Sequence, residues 1–157
     1  MQAQTSAPSI GHRDADMTLW QGRNDPHDGE LGLRWHQRIR DWQERHQVIP
    51  ESGHDHNFCL MGFCSDEGVR RNQGRIGAAL GPLAIRRALA SLPLHQSVNL
   101  FDAGDVYCST GTAPDDALEQ AQRILADQLS SVLVTNTVPI VMGLSLIHIS
   151  EPTRPFH

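Results

Sequence analysis

Residues 58–89 read FCLMGFCSDEGVRRNQGRIGAALGPLAIRRAL. The first six, Phe58 to Phe63, form a continuous apolar run, the pattern of a strand covered on both faces. A loop rich in glycine and arginine follows over 64–81. Pro82 then suits a first helical turn, and Ala84, Ile85, Ala88, Leu89 and Leu92 make an apolar stripe that Pro93 stops. The same alternation continues downstream. VNLFDAG (98–104) reads as a second strand with a turn. Asp115 or Asp116 caps a helix that carries Leu118, Ala121, Leu125, Leu129 and Val132 on one face. VPIVMG (138–143) is a third strand, with its proline tolerated at the start. The pattern therefore predicts strands near 58–63, 98–102 and 138–142, helices near 81–92 and 115–133, and a parallel α/β sheet. Ligands in such sheets bind beyond the carboxyl ends of the strands. Here those ends open into the loops 64–81 and 103–115 and into whatever follows Gly143.

The flanks and bulk properties bound the rest. Residues 1–18 are polar and aperiodic and read as a disordered N-terminus. Leu31, Trp35, Ile39 and Trp42 fall at helical spacing, and 49–57 reads as a loop. The net charge is −5, which provides no basic footprint for nucleic acid. No apolar run is long enough to span a membrane, and no secretory pattern opens the chain. The three cysteines are sparse and unpatterned, which fits a reducing cytoplasm rather than a disulfide framework. All 13 basic residues are arginine, so neither a Schiff-base lysine nor a P-loop lysine is available.

The loop 64–82 is the most informative stretch. Gly68, Gly74, Gly77 and Gly81 are interleaved with Arg70, Arg71 and Arg75. Glycines let backbone approach a ligand, and arginines hold carboxylates through paired hydrogen bonds. The pattern is neither a Walker loop nor a dinucleotide fingerprint. Composition alone favours a solvated loop over a ligand loop. The other candidates are modest. His54, Asp55 and His56 lack a third ligand nearby. Cys59 and Cys64 lack the second pair that zinc needs. Asp102 and Asp105 end a strand and serve either as orienting groups or as turn caps. Trp20, Trp35 and Trp42 read as packing. No nucleophile elbow is present.

Four stretches carry a resemblance: LWQGRND (19–25), GFCSDEGVRRNQGRIGAALGPLAIRRAL (62–89), LFDAGDV (100–106) and PIVMG (139–143). Together they resemble the N-terminal part of the formimidoylglutamase branch of the arginase–agmatinase ureohydrolases. Asn72, Gly74, Arg75, Gly77, Gly81, Pro82 and Arg86 are its most specific residues. The resemblance implies a partial three-layer α/β/α, arginase-like fold with a parallel sheet, truncated after about the third strand. It implies an enzyme whose full-length form uses two manganese ions to hydrolyse N-formimidoyl-L-glutamate to L-glutamate and formamide in histidine breakdown. It implies a small-molecule substrate, with no nucleic-acid or membrane partner, and it is compatible with an oligomer. Asn72 and Arg75 are the expected substrate-binding residues, with Arg70, Arg71 and Arg86 weaker because consecutive arginines are usually solvated.

The metal ligands that the resemblance calls for are not written here. Gly143 leads into LSLIH where that branch has Gly-Gly-Gly-His-Glu, His148 is displaced by two positions, and no aspartate follows Asp127. No catalytic residue, metal ligand or bound metal is therefore expected, and the chain as written is expected to be inactive. LSLIHISEPTR (144–154) resembles a translated sequencing adapter. The expected organisation is a disordered 1–18, a partial ureohydrolase domain over 19–143 and a non-native tail over 144–157. A third strand left at a sheet edge is expected to make the chain aggregation-prone. The alternatives are another ureohydrolase such as agmatinase, or a non-catalytic flavodoxin-like binding module.

Overall fold

The structure is a computed structural model that describes residues 9–25, 27, 29, 32–47, 56–109 and 115–143. In chain order its elements are β1 (Ile10–Arg13), α1 (Trp35–Arg38), β2 (Ile39–Asp41), β3 (Asn57–Ser65), α2 (Glu67–Arg71), α3 (Gly81–Ala90), β4 (Asn99–Cys108), α4 (Ala117–Leu133) and β5 (Val138–Met142). Short 3-10 turns occupy Met17–Leu19, Trp42–Gln47 and Ala78–Leu80. β3 lies between β4 and β5 and is parallel to both, as the alternation predicts. β1 runs antiparallel along the carboxyl half of β4, and β2 runs parallel along its amino half.

Side-chain alternation along the strands divides the interior into two layers. Cys59, Met61 and Phe63 of β3 join Phe101, Ala103 and Val106 of β4 beneath Ala117, Ala121 and Leu125 of α4. Phe58, Leu60 and Leu100 face the other way, toward Leu89 and Ala90 of α3. The result is helix, sheet, helix, with the sheet covered on both sides.

Four expectations need correction. The helix read from Leu31, Trp35, Ile39 and Trp42 is one turn, Trp35–Arg38, followed by β2; Leu31 lies outside the described residues. Trp35 and Ile39 pack on the α3 side, while Trp42 packs edge-on against Phe101 on the α4 side, with ring centroids 5.6 Å apart. No single helix face can reach both sides of a sheet. The stretch 1–18, read as disordered, contains β1, which pairs with β4 from Ile10↔Cys108 to Arg13↔Asp105. Four residues are too few to show a period, so tertiary pairing alone defines them. The helical stripe of 81–92 is rotated: Pro82, Arg86 and Ala90 face the sheet, while Ile85 and Leu92 are exposed. Burial of Arg86 against two aspartates outranks the apolar period. Asp116 takes the N-cap position of α4, but its carboxylate accepts from Gln120 Nε2 at 2.9 Å rather than from backbone.

Candidate functional site

The carboxyl ends of β3, β4 and β5 meet the loop 66–80 and the start of α3. β4 is bulged here, because Leu60 pairs with Asp102 but Gly62 pairs with Asp105. One extra residue on β4 bends it and re-aims its side chains. Gly104 takes φ +81°, and a Cβ there would overlap the Arg13 carbonyl oxygen of β1.

The bulge turns Asp102 and Asp105 toward α3. Arg86 donates from Nε and Nη2 to the two oxygens of Asp102 at 2.7 and 2.8 Å, from Nη1 to Asp105 at 2.6 Å, and from Nη2 to the Gly104 carbonyl at 2.9 Å. The Trp20 indole N–H and the Gly104 amide complete the shell of Asp102, each at 2.9 Å. Arg13 reaches the other oxygen of Asp105 at 3.2 Å. Burial pulls the Arg86 pKa down, and the two aspartates more than reverse this, so the guanidinium stays charged. Arg86 is therefore a buried structural cation and not a solvated one, and Trp20 is a hydrogen-bond donor as well as packing. Neither the fork nor the indole contact has a signal in local spacing.

A second network fixes the loop. Glu67 accepts two hydrogen bonds from Arg70, at 2.8 and 2.7 Å, and one from Arg71 at 3.0 Å. The Arg70 bonds in particular, against the cost of burial and with help from Arg71, hold the Glu67 carboxyl down at about 2. Arg71 continues to Glu119 of α4 at 2.6 Å and to the Asp115 carbonyl. Asp66 accepts from the amides of Gly77 and Ala79 at 2.9 and 3.1 Å, folding the loop back on itself. Between this loop, α3 and the end of β5 lies a cavity of about 480 Å³, lined by Arg75, Ile76, Gly77, Gly81, Ile85 and Gly143 among others. Arg75 has no ion-pair or hydrogen-bond partner among the described residues. Asn72 is exposed at the end of α2 and is not part of the cavity lining, so the fold brings only one of the two expected substrate residues to it.

The remaining candidates fall elsewhere. Cys59, Cys64 and Cys108 are buried and free, with burial pushing the Cys59 thiol up to about 12 and the Cys64 thiol up to about 11. His56 sits beside Phe58 at the opposite, amino end of the sheet. His54, Asp55 and His148 lie outside the described residues.

The family model of the arginase family matches residues 56–143, which covers all the elements of this edge from β3 to β5. This chain belongs to the arginase family. It is also similar to curated proteins named formimidoylglutamase. That of Aeromonas hydrophila subsp. hydrophila is 42% identical over 128 residues, covering 82% of this chain and 37% of the relative. Those of Chromobacterium violaceum and Ralstonia nicotianae are 43% and 44% identical over 128 and 132 residues, covering 82% and 84% of this chain and 37% of each relative. The chain thus spans little more than a third of the length of these relatives. No solved structure gives a significant match.

The two manganese ions that the resemblance implies do not fit the donors described here. Asp102 and Asp105, expected to end a strand, lie inside β4, which runs on to Cys108; Arg86 neutralises both and Arg13 takes the remaining oxygen of Asp105. A hard cation needs several free oxygen donors. Among the described residues no three His, Cys, Asp or Glu side chains converge on one point.

Proposed function

We propose that this chain is the amino-terminal part of a cytoplasmic formimidoylglutamase. In the whole protein the reaction is hydrolysis of N-formimidoyl-L-glutamate to L-glutamate and formamide, late in histidine breakdown, at a two-manganese centre. The described residues contribute its scaffold and one wall of the substrate site, and the chain as written is inactive. Residues 144–157 are then foreign to the natural sequence.

The supporting observation is the state of Arg75. Arg13, Arg70, Arg71 and Arg86 are all held by carboxylates. Arg75, in the loop most specific to the formimidoylglutamase branch, faces a cavity with no partner among the described residues. In this reading it receives a substrate carboxylate, with Asn72 as a second, more peripheral contact. The cavity wall of Ile76 and Ile85 suits the methylene chain of a glutamate.

The test is a chimera joining residues 1–143 to the remaining two-thirds of the Aeromonas hydrophila relative, assayed for formamide release with manganese. Arg75→Ala should raise KM roughly 10- to 100-fold, since a charge-assisted contact is worth about 1.5–3 kcal/mol. An unchanged KM would remove Arg75 from the substrate site. Turnover by the short chain alone would refute its inactivity. Resequencing the gene past the Gly143 codon tests the tail: genomic reads that continue LSLIH would make it native.

A further inference from the structure

Ser65 and Asp66 follow one another at the end of β3 and divide two tasks between them. Asp66 holds the N-cap position of α2, yet its carboxylate makes no capping bond to that helix. The Glu67 amide donates instead to the Ser65 hydroxyl, at 3.1 Å. Asp66 Oδ1 accepts from Gly77 and Ala79, eleven and thirteen residues downstream, at 2.9 and 3.1 Å. These amides open the 3-10 turn Ala78–Leu80, whose own N-cap, Gly77, has no side chain to offer. The other end of the loop is closed by backbone. The Gln73 amide donates to the Arg70 carbonyl at 3.0 Å and the Gly74 amide to the Val69 carbonyl at 2.8 Å, with Gln73 at φ +54°. This is the paired closure with which helices commonly end. α2 is itself moored to α4 through Glu67, Arg71 and Glu119. Arg75 and Ile76 lie between the two ties.

We propose that Asp66 is a positioning residue for substrate recognition: by tying Gly77 and Ala79 to the end of β3, it fixes the backbone that presents Arg75. The inference rests on the reading of Arg75 as the contact for a substrate carboxylate, and extends it to what holds that contact in place. A guanidinium on a loose loop gives up the freedom of the loop as well as that of its own side chain when it binds. The tie removes the loop's share before substrate arrives. Gly77 is where the tie is needed, because it sits at φ +138° and a glycine whose amide has no partner has many other conformations open to it. Two amides on one oxygen require an acceptor rather than a charge, so asparagine in place of Asp66 can serve the same geometry.

The chimera of residues 1–143 with the Aeromonas hydrophila relative reads the effect. Asp66→Ala should raise KM roughly 5- to 50-fold, and by no more than Arg75→Ala does, because it acts only through that arginine. Its kcat should change by less than about twofold, since binding alone is disturbed. In an Arg75→Ala background the same change should add less than about twofold to KM. Asp66→Asn should bring KM back to within about threefold of the wild type. Should Asp66→Ala lower the folded yield, Gly77→Ala strikes the same tie: its Cβ would meet nothing within 4 Å, but alanine avoids that φ. Its KM should rise in the same way. In the full chain, hydrogen exchange read by mass spectrometry over 74–80 should be slowed in the wild type and quicken in Asp66→Ala, with β3 and β4 unchanged. An unchanged KM for Asp66→Ala and Gly77→Ala, beside a raised one for Arg75→Ala, overturns this inference alone. So does additivity with Arg75→Ala, a fall in kcat as large as the rise in KM, no rescue by asparagine, or exchange over 74–80 indifferent to Asp66. An unchanged KM for Arg75→Ala overturns the substrate reading, and this inference with it.

Discussion

Replacing Arg86 with alanine should destabilise the fold by about 3–5 kcal/mol, the cost of stranding the partner of a buried ion pair. The guanidinium is 3% exposed and the Asp102 carboxylate 0%, so water cannot replace what is lost. Four hydrogen bonds disappear together: two to Asp102, one to Asp105 and one to the Gly104 carbonyl. Asp102 would keep only the Trp20 indole and the Gly104 amide, two neutral donors for a buried anion. The loss is not the sum of four bonds, because they share one cation and one bulge. A domain of this kind has about 5–15 kcal/mol in total, so the variant should lie near the limit of folding.

Urea denaturation followed by far-ultraviolet circular dichroism reads the effect. With a slope of about 2 kcal/mol per molar, the midpoint should fall by roughly 1.5–2.5 M. Arg86→Lys should fall between, since an ammonium keeps the charge but cannot form the fork. Adding Asp102→Asn to Arg86→Ala should cost far less than the two single changes summed. A loss under about 1 kcal/mol for Arg86→Ala, or strict additivity with Asp102→Asn, would refute the view that this cluster organises the carboxyl edge.

Two further outcomes follow from the same edge. The Glu67 carboxyl is held at about 2, below its ordinary 4.5, so the stability it contributes is full above pH 4.5 and drains away as pH falls toward 2. Glu67→Gln should flatten that part of a plot of Tm against pH while lowering Tm at neutral pH. Gly104→Ala should cost at least about 1–2 kcal/mol, because its φ of +81° disfavours a side chain and the new Cβ overlaps the Arg13 carbonyl. Faster amide exchange confined to 10–13 would show that β1 is what gives way.

The parallel core was legible because burial on two faces leaves a mark in local sequence. Phe58–Phe63 is apolar throughout, and α4 keeps Leu118, Ala121 and Leu125 on one side. β1 and β2 were not legible, since each is defined by the β4 backbone it pairs with rather than by its own pattern. Arg86 was misread for a related reason. An arginine in a helix gives no sign of whether water or two aspartates will meet it, and these lie 16 and 19 residues downstream. Arg75 could be named from the loop, but its isolation from every described carboxylate needed the fold.

The stretches that carry the family resemblance meet physically. Trp20 from the first donates to Asp102 of the third. Gly62 and Arg86, both from the second, bracket Asp105 of the third: a Cβ on Gly62 would overlap its Oδ1, while Arg86 binds that same oxygen. The same Cβ would come within 2.9 Å of the Pro82 Cβ. Gly143 ends the fourth stretch with the Phe63 carbonyl 2.9 Å from where its Cβ would stand. Change any one of these and the bulge, the α3 seat or the close approach of β5 to β3 must shift. The signature in this part of the chain therefore fixes the position of the carboxyl edge. Arg75 and Arg87 are the signature arginines that the described scaffold leaves unengaged; of the two Arg75 lines the cavity, and the chemistry read from this segment rests on it.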